Sequence, residues 1–283
     1  MPGFLQRHPF FRGTALLVRR YFDHHVGRDS AALTYYLLFA LFPLLILLNN
    51  AVGLLNFDVD ALLTTLSGFI PRDALDFVAQ YLRYVSRVSS RMMLWFSLIF
   101  TIYFPYRAVN ALFQSVRKAY EAGPPTGFLR SQLRMLLYTM LLIIAMPLSL
   151  AMSSVSRSVL EFVSRYVYLN ESAIRVWDWF RFVVLAAILF SMIALLYLLA
   201  LDLHSLKKGI LPGVIISLLA WIGLSMLFSI YVEHAANYSL IYGSIGTIIV
   251  LLLWLYLSAT TLIMGAEFNS VLLDIRISRG KST

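Results

Sequence analysis

The sequence predicts an all-α polytopic membrane protein with six transmembrane helices, and its composition is the first reason. Of the 283 residues, 60% are hydrophobic and only 13% are charged, whereas soluble globular domains have about 45–50% apolar and about 25% charged residues. This composition excludes an ordinary soluble enzyme and a disordered protein. The sequence contains no cysteine, which also excludes a disulfide framework and thiol catalysis.

The second reason is the number and length of the apolar stretches. A membrane-crossing helix needs roughly 20 mostly apolar residues. Six stretches meet this requirement, namely residues 31–55, 92–113, 133–155, 182–201, 210–231 and 245–268. Each stretch is longer than a strand and lacks sustained alternation, and an unpaired backbone cannot cross lipid. Each is therefore predicted to be a helix.

The distribution of cationic residues predicts the orientation of these helices. Of the 23 lysines and arginines, 14 fall on the side of the predicted membrane that holds both termini and 8 fall on the opposite side. Because cytoplasmic loops carry an excess of Lys and Arg, both termini are predicted to be cytoplasmic. The formal net charge of +9 is then explained by topology and headgroup contact, so nucleic acid is not expected as a partner.

Two long connections on the non-cytoplasmic side, about residues 56–91 and 156–181, carry amphipathic helical patterns and are predicted to lie along the interface. The N-terminal segment 1–30 contains a similar pattern around residues 14–22 and is predicted to lie on the cytoplasmic surface. The chain is read as a single membrane domain over residues 1–283. Its six spans fall within 31–268, and a cytoplasmic tail follows at 269–283.

Polar residues inside the second predicted span form a candidate site. An ionisable residue within lipid is costly and is a functional hypothesis by default. Arg107 lies on one helical face with Tyr103, Asn110 and Gln114. One interpretation is a polar groove that serves as a substrate or ion pathway. The alternative is an arginine that extends to the cytoplasmic headgroups through its long stem.

The sixth predicted span contributes a carboxylate to the same hypothesis. Glu267 lies near the cytoplasmic end of this span and shares a face with Tyr256 and Thr260. It could pair with Arg107, carry a proton or bind a cation, and the alternative is a hydrated residue at a helix end. The sequence leaves these alternatives open.

Small residues and a proline suggest close packing or hinges. Gly209, Gly213 and Ser217 form a small-xxx-small seam on the fifth span, for which helix contact is the favoured interpretation. Pro105 should kink the second span. Helix packing or hinge roles are predicted for Pro105, Gly209, Gly213, Ser217, Gly243, Gly246 and Gly265.

Four stretches carry a family resemblance. They are SAALTYYLLFALFPLLILL at 30–48, ALFQSVRKAY at 111–120, LPGVIISLLAWI at 211–222 and YGSIGTIIVLLLWLYLSATTLIMGAEFNSVL at 242–272. Together they resemble the YihY/BrkB family of bacterial inner-membrane proteins, and the last stretch is the most specific. The resemblance implies a multi-pass protein of the bacterial inner (plasma) membrane, and its GAEFN segment adds Asn269 to the candidate pathway.

The family has carried the label ribonuclease BN, which the residues do not support. A metal-dependent ribonuclease needs clustered His and carboxylate ligands, and the five histidines and 14 acidic residues are dispersed along this chain. The chain also lacks the Walker, H-E-x-x-H and G-x-S-x-G motifs. We therefore predict no enzymatic activity, no catalytic residue, no metal site and no cofactor.

The leading functional hypothesis is a transport or lipid-translocation component of the cell envelope, with membrane lipids as partners. The family's association with envelope lipid handling and serum resistance implies the same direction. The alternative is a non-enzymatic scaffold or assembly protein that binds another copy of itself or an envelope protein. An enzyme acting on RNA or within the membrane is the disfavoured third hypothesis.

Overall fold

A computed structural model describes residues 9–54, 91–123, 127–154, 171–201, 209–234 and 237–280. These ranges contain α-helices and no strand. In chain order the helices are α1 (Pro9–Asp23), α2 (Val26–Leu54), α3 (Arg91–Ala119), α4 (Phe128–Ser154), α5 (Glu171–Ala200), α6 (Leu211–His234) and α7 (Asn237–Gly280).

Six of these helices, α2 to α7, are long and apolar enough to cross a membrane. The candidate spans are Val26–Leu47, Met92–Ala119, Phe128–Met146, Trp179–Ala200, Leu211–Val232 and Ile248–Ile275. The prediction of an all-α polytopic membrane protein with six transmembrane helices is therefore confirmed. The two long amphipathic connections fall mostly on residues 55–90 and 155–170, which lie outside the described residues.

Several helices extend beyond the predicted spans. α2 begins at Val26 instead of at residue 31, α5 begins at Glu171 instead of at 182, and α7 continues to Gly280 instead of ending at 268. Hydropathy marks where an apolar run ends, but polar residues continue a helix when other parts of the protein pair with them. Asp29 illustrates this, since it lies in the first turn of α2 and its carboxylate is 2.8 Å from Lys118 Nζ.

The described chain divides into two compact units. The first comprises residues 1–34 and 108–283, and the second comprises residues 35–107. In the first unit α7 packs against α6 and α1, and α5 packs against α4 and α6. In the second unit aromatic rings pack together, with centroids 5.7 Å apart for Phe39 and Phe104 and 5.6 Å apart for Phe100 and Phe104. The single-domain assignment over residues 1–283 stays a prediction.

The first unit contains a seam where the backbones of α6 and α7 approach closely. A Cβ atom added at Gly265 would lie 1.6 Å from Ser217 Oγ and 2.7 Å from the Tyr197 hydroxyl oxygen. A Cβ atom added at Gly213 would lie 2.8 Å from the Gly265 carbonyl oxygen. The fully buried Tyr197 of α5 donates a hydrogen bond of 2.7 Å to the Leu262 carbonyl oxygen. Glycine is therefore required at both positions for α5, α6 and α7 to meet.

The other small-residue candidates have different surroundings. Gly209 precedes α6 with a φ of 66°, a left-handed conformation that glycine adopts without steric cost. Pro105 is buried within the continuous helix α3, and Gly246 is buried within α7. The surroundings of Gly243 lie outside the described residues. A hinge at any of these positions stays a prediction.

We expect Gly265→Ala to destabilise the protein, because the added methyl group overlaps Ser217 and Tyr197. Overpacking of this kind costs about 1–3 kcal/mol, which should lower the midpoint of thermal unfolding in detergent. Gly223→Ala is the matched control, because a Cβ atom at Gly223 of α6 meets nothing within 4 Å. Equal unfolding midpoints for the two variants would contradict the close approach of α6 and α7.

Candidate functional site

The buried carboxylate of Glu267 on α7 lies at the centre of a polar cluster. Its side chain has no exposed surface, and its two oxygens contact two residues of the N-terminal segment. Glu267 Oε1 is 2.5 Å from His24 Nδ1, and Glu267 Oε2 is 3.4 Å from Arg20 Nη1. A buried carboxylate requires such partners, because an unpaired charge in a low-dielectric interior is strongly unfavourable.

Arg20 joins three helix ends through its guanidinium group. Nη1 also donates hydrogen bonds to the Ser270 hydroxyl at 2.8 Å and to the carbonyl oxygen of Ala119, the last residue of α3, at 3.1 Å. Nη2 contacts Asp274 at 2.7 Å and Glu121 at 3.2 Å. The side chain is only 13% exposed. Arginine can serve all of these acceptors because its planar group carries five N–H donors.

A second ion pair fixes the start of α2 next to the end of α3. Lys118 Nζ lies 2.8 Å from an Asp29 carboxylate oxygen and donates a second bond of 2.8 Å to the His24 carbonyl oxygen. The Ser115 hydroxyl is 3.3 Å from the same Asp29 oxygen. The two networks therefore hold both sides of the turn between α1 and α2.

Asn269 makes a third polar connection in the same region. Its Nδ2 donates to the Tyr120 hydroxyl at 2.6 Å and to the Gly209 carbonyl at 2.8 Å, and its Oδ1 accepts from the Gly213 N–H at 3.0 Å. Gly213 lies in the first turn of α6, where backbone N–H groups have no partner within the helix. Burial raises the pKa of the Tyr120 hydroxyl to about 12, so this group stays protonated at neutral pH.

The two remaining α7 candidates, Tyr256 and Thr260, precede Glu267 by two to three turns of the same helix. The Tyr256 hydroxyl is 3.3 Å from the Tyr21 hydroxyl of α1. This hydrogen bond is the main cause that raises the pKa of Tyr21, and burial adds to it. The Thr260 hydroxyl donates a hydrogen bond of 2.8 Å to the Tyr256 carbonyl oxygen one turn earlier. Its hydrogen is therefore used within α7.

Three of the four α3 candidates, Tyr103, Arg107 and Gln114, are exposed, and Asn110 is half-buried. Arg107 Nη2 donates a hydrogen bond of 3.1 Å to the Tyr36 hydroxyl of α2, and the guanidinium carbon lies 5.4 Å from the centroid of the Tyr36 ring. Tyr103, one turn away, is 47% exposed. Farther along α3, Gln114 Nε2 donates to Asn110 Oδ1 at 3.0 Å. Arg107 is thus an accessible cation in the middle of a candidate span.

The predicted pathway residues therefore differ in their surroundings. Glu267 and Asn269 are buried and hydrogen-bonded, whereas Tyr103, Arg107 and Gln114 are exposed. The other three are half-buried, namely Asn110, Tyr256 and Thr260. The sequence left open whether Arg107 supplies the cation for Glu267, and in the structure Arg20 and His24 occupy that role. Sequence reasoning missed these two partners. The signal was the run RRYFDHH at 19–25, because an amphipathic segment with inward-facing cations can neutralise a buried carboxylate.

Among the residues that the structure describes, no three His, Cys, Asp or Glu side chains lie close enough together to hold a metal ion.

Comparison with known proteins gives the family. The family model described as Virulence factor BrkB matches residues 17–282. The ribonuclease-like protein YfkH of Bacillus subtilis is 29% identical over 256 residues, which is 90% of this chain and 93% of that protein. A UPF0761 membrane protein of Alcanivorax borkumensis is 24% identical, and the match covers 89% of this chain but 58% of the relative. A UPF0761 membrane protein of Xanthomonas oryzae is also 24% identical, and 60% of its length is matched.

No solved structure matches the chain. The family match extends over most of the sequence and confirms the resemblance found from the quoted stretches. The chain belongs to the Virulence factor BrkB family.

We expect Arg20→Ala to be strongly destabilising, because it leaves the buried Glu267 without one of its two partners and removes the contact between α1 and the end of α3. Breaking a buried ion pair costs about 3–5 kcal/mol. Thermal unfolding of the purified protein, followed by tryptophan fluorescence, measures the effect. Arg20→Lys keeps the charge but loses most of the hydrogen bonds, so its unfolding midpoint should be intermediate.

The matched control is Arg19→Ala. Arg19 is the neighbouring residue, its side chain is 78% exposed, and its pair with Asp23 lies on the surface. Such pairs contribute about 0.2–1 kcal/mol. If Arg19→Ala and Arg20→Ala lowered the unfolding midpoint equally, the cluster around Glu267 would not stabilise the helix ends.

Proposed function

We propose that this member of the BrkB family is a transport or lipid-translocation component of the bacterial inner membrane, in which Arg107 contacts the anionic headgroup of a lipid. The observation that carries the proposal is an exposed guanidinium group within the candidate span Met92–Ala119. A charged side chain in a membrane helix is costly. An anionic ligand offsets this cost.

The chemistry of Arg107 suits a phosphate group. A guanidinium binds phosphate through two parallel N–H bonds, which gives orientation as well as affinity. One Arg107 N–H group is directed to Tyr36, and the others remain for a ligand. The Tyr36 ring, whose centroid lies 5.4 Å from the guanidinium carbon, restricts its position. The headgroup would therefore meet a cation that is already oriented.

The buried polar residues have a different role in this proposal. Glu267 and Asn269 have their polar atoms engaged by Arg20, His24, Tyr120 and the backbone. They hold α1, α3, α6 and α7 together within the first unit. The proposed pathway is thus shortened to the exposed residues of α3.

A scaffold is the second candidate function, and one observation favours it. Four polar side chains of α7 bind to other parts of the chain, as expected for a rigid assembly platform, namely Glu267, Asn269, Ser270 and Asp274. This candidate predicts a stable partner, either a second copy or an envelope protein, that cross-links to the protein in the membrane.

The purified protein reconstituted in liposomes tests the first candidate. We expect it to accelerate the movement of fluorescent phosphatidylglycerol between leaflets, and Arg107→Ala to reduce the rate about tenfold or more. A hydrogen bond to a charged group contributes about 1.5–3 kcal/mol, and 1.4 kcal/mol corresponds to a factor of ten. Arg107→Lys should retain part of the rate, and Tyr36→Phe should reduce it less than Arg107→Ala does.

Arg19→Ala serves as the control, because it removes an exposed arginine from a helix outside the candidate spans. Equal rates for all variants would remove Arg107 from the mechanism. A wild-type rate equal to that of protein-free liposomes would overturn lipid translocation, and a single cross-linked partner would then support the scaffold.

A further inference from the structure

α1 carries an exposed apolar strip that the polar cluster does not use. Val18 is 59% exposed and Phe22 is 67% exposed, although α1 is the one described helix outside the candidate spans. Val18 and Phe22 are one helical turn apart and form a continuous strip on one face. Large apolar side chains left open side by side mark a surface that something else covers.

The strip faces away from the helices that α1 contacts. Arg20 and His24 point to α7 and the end of α3. Val18 and Phe22 are each two residues from Arg20, which on an α-helix of 3.6 residues per turn places them roughly 200° around the axis. Their side chains are therefore directed outward from the first unit.

The strip also lies at the level where membrane spans begin and end. The candidate span of α2 starts at Val26, three residues after α1 ends at Asp23. Arg20 donates to the carbonyl oxygen of Ala119, the last residue of the α3 span. In the sequence, Phe22 lies between Arg20, which contacts the end of the α3 span, and Val26, where the α2 span begins. An outward surface at this level meets the boundary between hydrocarbon and headgroups.

We propose that the Val18–Phe22 strip is a lipid-binding surface, seated in the headgroup region of the leaflet at which the first span begins. Its occupant is phospholipid, since the strip is level with the span ends and faces out of the helix bundle. In the sequence, Arg19 and Arg28 lie on either side of Phe22, and their side chains are 78% and 71% exposed, even though each contacts a neighbouring aspartate. Exposed cations beside an apolar strip are typical of helices that bind membrane surfaces.

α1 then connects two environments through opposite faces. One face of α1 contacts the buried carboxylate of α7 through Arg20, which His24 joins from the turn after α1. The other face of α1 contacts lipid through Val18 and Phe22. The position of α1 on the protein is set jointly by the ion pairs and by the leaflet.

The natural sequence has no cysteine, so single cysteines can be placed without background. Val18→Cys and Phe22→Cys are labelled with a bimane fluorophore in the full-length protein, one copy per phosphatidylcholine nanodisc. Quenching by brominated phosphatidylcholine is then measured. Arg19→Cys is the control on another face of α1, where the side chain is 78% exposed, and Gly223→Cys is the span control, since a Cβ atom at this glycine meets nothing within 4 Å.

We expect quenching at positions 18 and 22 to exceed that at position 19 about twofold or more and to approach that at position 223. Quenching at both positions equal to that at position 19 would overturn the proposal. A label that is protected from brominated lipid but loses fluorescence when two copies share a nanodisc would assign the strip to a second copy instead. The result does not depend on lipid translocation, because quenching in a nanodisc measures only whether the labelled side chain contacts lipid.

Discussion

Burying one carboxylate inside a bundle of membrane helices is the constraint on which the rest of this structure depends. An isolated charge in a low-dielectric interior is strongly unfavourable, so Glu267 needs polar partners. Arg20 of α1 and His24 of the turn that follows α1 supply them. Because the guanidinium of Arg20 also reaches Ala119 and Asp274, satisfying one buried charge brings three helix ends into register.

Close backbone contact supplies what the ion pairs do not. Apolar helices gain no hydrophobic free energy by leaving lipid for one another, so small residues and hydrogen bonds decide which faces meet. Gly213 and Gly265 let α6 approach α7, and the Asn269 amide then reaches the first turn of α6. Electrostatics positions the ends of the helices, and the absence of side chains at two positions sets the distance between their axes.

The sequence predicts the parts of this fold that depend on local properties. Six apolar runs of sufficient length give the six spans, because lipid allows few other solutions. The same runs cannot reveal that α7 extends to Gly280, since its polar end is held by partners distant in sequence. Arg107 and Glu267 were both recognised as unusual residues, but hydropathy could not distinguish the exposed one from the buried one. Arg20 and His24 were missed because 243 or more residues separate them from Glu267.

The hydrogen bond from Gly213 to Asn269 has a consequence for how the protein is made. During synthesis α6 leaves the ribosome before α7, so the first turn of α6 enters the membrane with its N–H groups still lacking this acceptor. The contact between Arg20 of α1 and Glu267 forms after a longer delay, because 247 residues separate them in the sequence. Both contacts are completed only when α7 is in place. Maturation of the bundle therefore depends on the synthesis of α7, and nascent chains halted before residue 267 should be the ones that quality-control proteases encounter.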